Sequence, residues 1–487
     1  MVVEICAYRL LAPQFGNSVF TWTALIGVIL IASSAGGYLG GWLADRRPAL
    51  SIMGWLLAGS SILIFFIPPL HGLAGPAIAA GGRLILGPVL VSLLLFAIPG
   101  ILLGAVSPAA VRFYSLTRSD THVGASAGVI SMLGSLGSFA GTFLSGFVLL
   151  SAFGVRSIFM GVALLLLILA LLSFKLARNS LRQMLPFFLT GLIAAGFALA
   201  DTPSTPPDVI HEEESFYHRI RVSETGEGPH KRRILELDST QEGGIHPDTG
   251  ALVMNYQHYW RLVQFNDKLT VKRALFLGAG AFGMPNELSR TLGQAHVDVV
   301  EIDPRVIEVG RQFFKLDEHP RVHAHAGDAR RFLLLHDKPG ERWDLIFGDA
   351  YNGIRAIPVH LTSREFFQLV HDRLTGDGAF VMNLITAVQG PRSELLAGIL
   401  ASLRAVFPHV ETFGVGGRLD EPQNVILLAT KTDWSGFITE RYHPPGSLQE
   451  RLAATHIPAA RLPRTGEAFT DDHNPVDAII ARSLSDR

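Results

Sequence analysis

ALFLGAGAFG, residues 274–283, sets an apolar strand directly ahead of three glycines in GxGxxG spacing. Helix-forming residues 285–292 follow. Outward from this stretch the same alternation repeats. Strands are predicted at 297–301, 321–326, 343–347 and 379–383, with helices near 304–315, 328–335 and 363–374. Alternating strands and helices imply a Rossmann-like, parallel, doubly wound sheet. Upstream, 209–260 reads as β-structure: 217–222 alternates, 233–237 is a second short run, and Gly-rich turns separate them. The expected organisation is a small β-domain over 209–270, the α/β domain over 271–440 and a C-terminal extension over 441–487.

Ligands of such sheets bind beyond the C-terminal ends of the strands. Gly278, Gly280 and Gly283 lie there after the first strand, where glycine permits a tight turn and close backbone approach. Glu301 ends the second strand about 20 residues later, placed to accept both hydrogen bonds of a ribose diol. Asp303 is the alternative acid, although Pro304 after it fits a helix N-cap. Asp328, in Gly327-Asp328-Ala329, follows the third strand and can reach an adenine amino group; a helix N-cap is the plain alternative. Asp349 follows the fourth strand, where a carboxylate can act as general base or hold a cation, or simply form a turn. Together these features point to a nucleoside site.

The first 200 residues are a different material. They hold three acids and ten bases, a net of +7, whereas the remainder has 39 acids and 31 bases, a net of −8. Charge-free stretches run from Arg47 to Arg83, Arg83 to Arg112, Asp120 to Arg156, Arg156 to Lys175 and Arg182 to Asp201. A span needs about 20 apolar residues, so crossings are expected near 18–43, 51–70, 84–111, 123–152, 157–174 and 184–200. Soluble helices would need a polar face that these lack. Gly36, Gly37, Gly40 and Gly41, with Gly124/Gly128 and Gly137/Gly141, have the spacing that lets helix backbones meet in lipid. Residues 1–12 read as part of a span or as an interfacial helix. Residues 201–208 (DTPSTPPD) form a proline-rich linker.

Positive loops face the cytoplasm. Lys175, Arg178 and Arg182 are therefore expected inside, and a crossing by 184–200 would put the α/β part outside. A nucleoside cofactor made in the cytoplasm argues for the opposite side. The sequence leaves the side open, with the cytoplasm favoured on cofactor grounds. The single cysteine, Cys6, excludes an internal disulfide framework, and no metal-ligand spacing is present.

Four segments carry a family resemblance: IHEEESFYHRIRV (210–222), VVEIDPRVIEVGRQFF (299–314), HAGDARRFL (325–333) and DLIFGDAYNGIRAIPVHLTSREFFQLVHDRLTGDGAFVMNL (344–384). They resemble the spermidine synthases over roughly 209–430. With hydrophobic spans ahead, the chain looks like the membrane-fused members of bacteria. The ending Thr470-Asp471-Asp472-His473-Asn474-Pro475 resembles that group too, without an evident chemical role. The resemblance implies a methyltransferase-like sheet and a multi-pass inner-membrane protein. It implies transfer of an aminopropyl group from decarboxylated S-adenosylmethionine to putrescine or a related amine, with no metal.

On that resemblance Glu301 holds the ribose, Asp328 and Ala329 the adenine, and Asp349 the attacking amine. Gln241 matches a cofactor-contacting glutamine, one residue short of the family spacing from Asp238. Tyr259 matches an acceptor-pocket tyrosine. Two positions depart from the family: Ala281 stands where the glycine loop carries an Asp, and Asn352 where a second Asp follows Asp349. The expected partners are the bilayer and a small amine, with no nucleic acid, and the resemblance allows a homodimer. Ordinary S-adenosylmethionine with a methyl acceptor is a second reading that explains the missing acids. A non-catalytic nucleoside sensor or transport accessory is a third.

Overall fold

The computed structural model describes residues 1–15, 19–80, 86–117, 123–178, 189, 191, 206–336, 341–351, 357–464 and 466–485. They divide into two compact units, one up to Thr205 and the other from Pro206. In the first unit, five helices are long and apolar enough to cross a membrane: Val19–Ala44, Ala49–Ile78, Leu86–Thr117, Val123–Leu149 and Val155–Leu176. They fall on five of the expected spans. The expected crossing at 184–200 lies almost wholly outside the described residues, as does linker segment 201–205.

Glycine spacing is used unevenly. Gly36 and Gly40 press against the backbone of Ile101 and Ala105, and Gly104 presses against Ser33, so a Cβ at any of them would overlap main chain. Gly37, Gly124, Gly128 and Gly137 have nothing within 4 Å among the described residues. The Gly36/Gly40 pair therefore joins helix Val19–Ala44 to helix Leu86–Gly104. The Ser61 hydroxyl adds an interhelical bond to the Ala163 carbonyl at 2.7 Å. Helix Val2–Phe15 packs Cys6, Ala7, Leu11 and Phe15 into the bundle. Elsewhere the helices turn Leu30, Ile31, Tyr38 and Phe147 outward, the inverse of a water-soluble bundle.

The second unit holds two sheets. Strands β1 (Val209–Glu214), β2 (Arg219–Thr225), β3 (Arg232–Leu237) and β4 (Thr240–Ile245) form an antiparallel meander in that order. The larger sheet contains β5 (Arg273–Leu277), β6 (His296–Glu301), β7 (Val322–Ala326), β8 (Trp343–Gly348), β9 (Leu374–Thr386), β10 (His409–Gly414) and β11 (Gln423–Thr430), ordered β10-β11-β9-β8-β5-β6-β7. The five strands β5 to β9 run parallel. This is the methyltransferase-like arrangement. Ala274–Leu277, Leu345–Phe347 and Val381 are buried on both faces, which is why the strands read as unbroken apolar runs.

The five strands expected from the sequence are the parallel ones; beyond them, β11 pairs antiparallel with both β9 and β10. One expectation needs correction. Residues 255–260 are not β-structure: Asn255–Phe265 is a 3-10 helix. It buries Tyr256, Tyr259, Trp260, Val263 and Phe265, and the Gln257 side chain accepts the Met254 N–H at its start. Strand order reverses between β5 and β8, so the loops leaving them diverge and open a cleft at their C-terminal ends.

Candidate active site

Glycine makes the cleft floor possible. Gly278 (φ 99°) and Gly280 (φ 48°) both take left-handed backbone that other residues resist. A Cβ on Gly278 would overlap the Asp349 carbonyl, and one on Gly280 would overlap that of Glu242. The loop after β5 thereby brings two carboxylate-bearing segments against itself. Gly283 does not line the cleft. It starts helix Gly283–Thr291 and packs against Leu252, Gln257 and Ile245, so its lack of a side chain serves packing.

A cleft of about 620 Å³ runs over this loop, lined by Gly278, Gly280, Glu301, Asp328, Ala329 and Asp349 among others. Glu301 is nearly buried at the end of β6; its Oε2 accepts the Ala279 N–H at 3.1 Å and its Oε1 the Asp303 N–H at 3.0 Å. Each oxygen keeps a lone pair for a diol hydroxyl. Burial raises its pKa against the pull of these two bonds. Asp303 is occupied elsewhere: it caps helix Pro304–Phe313 through the Arg305 N–H at 2.9 Å and receives the Ser215 hydroxyl.

Asp328 both caps a helix and lines the cleft. Its Oδ1 caps helix Ala329–Leu335 by accepting the Arg331 N–H at 2.8 Å, while Oδ2 faces His360 Nε2 at 2.7 Å inside the cleft. The His360 hydrogen bond, more than any other contact, holds its carboxyl below the ordinary range.

Asp349 lies just beyond the end of β8, in the cleft wall. Its N–H donates to the Leu277 carbonyl at 2.8 Å, tying the loop after β8 to the end of β5. Asn383 Nδ2 donates to its Oδ1 at 2.8 Å, and Asn424 Nδ2 donates to Asn383 Oδ1 at 2.9 Å. Burial raises the Asp349 pKa to about 7, opposed by the hydrogen bonds of Asn383 and Tyr256. Such a group gains and loses its proton near neutrality.

A second cavity of about 1390 Å³ shares Glu242, Asp349 and Tyr351 with the first, and adds Tyr256, Asn383, Arg232 and Gln241. The Tyr351 hydroxyl donates to the Asn383 carbonyl and accepts the Ile385 N–H, both at 3.0 Å, which pins this wall to β9. The Tyr256 hydroxyl donates to the Glu242 carbonyl at 3.0 Å.

Glu242 is the residue that sequence reasoning missed. In the β3/β4 ladder Leu235 faces Gly243 and Glu236 faces Gln241, so Glu242 is the extra residue of a bulge. The bulge turns Glu242 into the cleft. Gln241 is left exposed, on the second cavity and off the first. The signal was available, because Glu242 stands at the spacing from Asp238 by which Gln241 falls short. Its Oε1 is buried without a protein partner. Burial, then repulsion from Asp349, Glu301 and Asp238, pushes its carboxyl well above the usual range.

Tyr259 also needs correction. Its hydroxyl pairs with Thr455 at 2.9 Å and its ring meets Phe413, outside both cavities. Tyr256, one turn earlier, lines the second cavity instead. Asn352 lies outside the described residues. Ala281 is buried and turned toward Gly243, and contributes no carboxylate.

Residues 256–415 match the family described as Spermine/spermidine synthase domain. A polyamine aminopropyltransferase of Vibrio vulnificus is 28% identical over 237 residues, covering 46% of this chain and 72% of that protein. The human eEF1A lysine and N-terminal methyltransferase is 28% identical over 155 residues, covering 30% of this chain and 22% of that protein. Among solved structures, a probable spermidine synthase from Corynebacterium glutamicum aligns at 20% identity with a TM-score of 0.41, over 57% of this chain and 94% of that one.

Proposed function

We propose that this chain, whose α/β unit carries a spermine/spermidine synthase domain, is a membrane-anchored aminopropyltransferase. It moves the 3-aminopropyl group of decarboxylated S-adenosylmethionine to putrescine or a related amine. The observation that carries the reading is the meeting of two cavities at one set of acids. The first cleft and a second, polar chamber share Glu242, Asp349 and Tyr351 in their walls. One chamber suits the donor and the other the acceptor.

In this reading Glu301 holds the ribose diol, and Asp328 and Ala329 face the adenine. The sulfonium lies at the glycine loop. Asp349 receives the acceptor's ammonium, takes one proton from it and aligns the neutral amine with the methylene carbon beside sulfur. The C–N bond forms as the C–S bond breaks. The electron pair leaves on sulfur, giving neutral 5′-methylthioadenosine, and the proton ends on Asp349. A base titrating at about 7 suits that exchange at neutral pH. Little else is required beyond positioning.

Glu242 answers the main objection. The acid absent at Ala281 would leave a cationic substrate short of one partner, and Glu242, whose main chain meets the same loop at Gly280, lines the same cleft. Burial raises the pKa of Glu242, Glu301 and Asp349, with repulsion from the other two adding to it at Glu242, and a bound cationic amine or sulfonium favours their ionised forms.

A methyl-transfer reading shares the adenosine half, and Ala281 is the observation that favours it. Binding and turnover separate the two. The aminopropyl reading expects the decarboxylated donor to bind more tightly than S-adenosylmethionine and to yield spermidine with putrescine. Preference for the carboxylated compound, with no polyamine product, would overturn it.

The five apolar helices support membrane anchoring. Counting only these crossings, the positive-inside rule puts Lys175, Arg178 and the α/β unit together on the cytoplasmic side, where the donor is made. A reporter fused after Pro207 checks this. An external signal would instead support a further crossing by 184–200.

A further inference from the structure

The ending Thr470-Asp471-Asp472-His473-Asn474-Pro475 has no part in the chemistry above, yet it is fastened to the adenine end of the cleft. Arg330, in the first turn of helix Ala329–Leu335, donates from Nη1 to Asp471 Oδ1 at 2.7 Å and from Nη2 to Oδ2 at 2.5 Å. The same Nη1 reaches the His360 carbonyl at 3.1 Å. His360 in turn holds Asp328 through its Nε2. Asp471 is thus linked to Asp328 through Arg330, the main-chain carbonyl of His360 and the His360 ring.

The loop carrying His360 is held on both sides. Asn474 Nδ2 donates to the Val359 carbonyl and to Thr362 Oγ1, both at 2.9 Å. The Arg364 N–H donates to the Phe469 carbonyl at 2.8 Å, and the Asp471 N–H to Glu365 Oε2 at 3.0 Å. Pro358, His360 and Leu361 form the cleft wall beside Asp328 and Ala329. Arg330 alone would oppose the positive end of its own helix. Asp471 neutralises it with a bidentate pair, the geometry that fixes a guanidinium in direction as well as place. Arg330 holds the Asp471 carboxyl down to about 2, so the pair persists across the physiological range.

We infer that residues 470–475 are part of the nucleoside site: Asp471, acting through Arg330, is a positioning residue that sets His360 and Asp328 for recognition of an adenine amino group. Asp328 Oδ2 and the His360 ring are then poised for a base edge with an N–H donor, and against one with a carbonyl. The inference rests on the nucleoside reading of the cleft.

The test measures binding of 5′-methylthioadenosine and its inosine counterpart to the full chain in detergent, with steady-state turnover alongside. Asp471→Asn is expected to weaken 5′-methylthioadenosine binding about tenfold, the loss of one charge-assisted contact. It should narrow the preference for adenine over hypoxanthine and raise the donor's KM while leaving the acceptor's unchanged. Asp471→Glu, which keeps the charge, should retain most of the affinity. Arg330→Gln combined with Asp471→Asn should be no worse than either alone, because the two act as one unit. Wild-type affinity and base preference in Asp471→Asn would overturn the inference. So would an equal weakening at the donor and acceptor sides without recovery in Asp471→Glu. A wild-type chain that binds no adenosine compound would instead overturn the nucleoside reading on which it depends.

Discussion

Asp349 and Glu242 occupy the boundary between the two cavities and differ in what they are asked to do. Asp349 has an aligned donor in Asn383 and a pKa near neutrality, which fits a proton acceptor. Asp349→Asn is expected to lower kcat by roughly 10²–10⁴-fold, with 5′-methylthioadenosine binding retained; full activity in that variant would remove its role. Only the ionised carboxylate accepts a proton, so activity should rise with pH through about 7 and level off above it. Stability runs the other way. The folded pKa exceeds the unfolded one, so between these values the folded chain binds more protons. The contribution is complete below the unfolded pKa near 4 and is lost as pH rises through about 7. Thermal melts from pH 5 to 8 should show this fall, and Asp349→Asn should flatten it. Glu242→Gln should raise KM for the cationic substrates by about tenfold, with neutral 5′-methylthioadenosine bound as in the wild type. Glu301, Asp328 and Asp349 were legible because each follows a strand that its apolar run identifies. Glu242 and Tyr256 were not, because a bulge and a 3-10 helix decide which side chain faces inward.

At the scale of elements, close approach explains the glycines that matter. The loop after β5 passes so near the main chain of Asp349 that Gly278→Ala should displace that wall. With its left-handed backbone, a destabilisation of about 1–3 kcal/mol is expected, together with weaker nucleoside binding, measured by denaturant titration and calorimetry. In the helical unit the same reasoning separates glycines that look alike in sequence. Gly40→Val should break the contact between helices Val19–Ala44 and Leu86–Gly104, lowering the melting temperature in detergent, whereas Gly128→Val should leave it unchanged. Equal sensitivity at both positions would mean that Gly128 meets a neighbour. The alternation of strand and helix located most of the helices and the positions of β5 to β9, with unbroken apolar runs at β5 and in 345–347 of β8. It did not foretell the antiparallel β11, because an apolar run has no direction; pairing with β9 and β10 supplies one.

At the scale of the molecule, two units of opposite charge and opposite surface character share one chain. The full chain is expected to stay with membranes through alkaline carbonate washing, while residues 206–487 expressed alone should remain in solution and bind 5′-methylthioadenosine. Release of the full chain by carbonate would overturn membrane anchoring. The division itself was plain from the order of residues: charge-free apolar stretches and strand–helix alternation are local properties that need no partner to be recognised. The glycine loop and the acids at strand ends were plain for the same reason, since topology sends every such position to one edge of the sheet. Tertiary structure alone decided which of the small residues are contacts, that Glu242 rather than Gln241 enters the first cleft, and that Asp471 reaches Arg330 beside Asp328. Each of these depends on groups that meet only when distant segments pack; Asp471 and Arg330 are 141 residues apart in the chain and 2.5 Å apart in the fold.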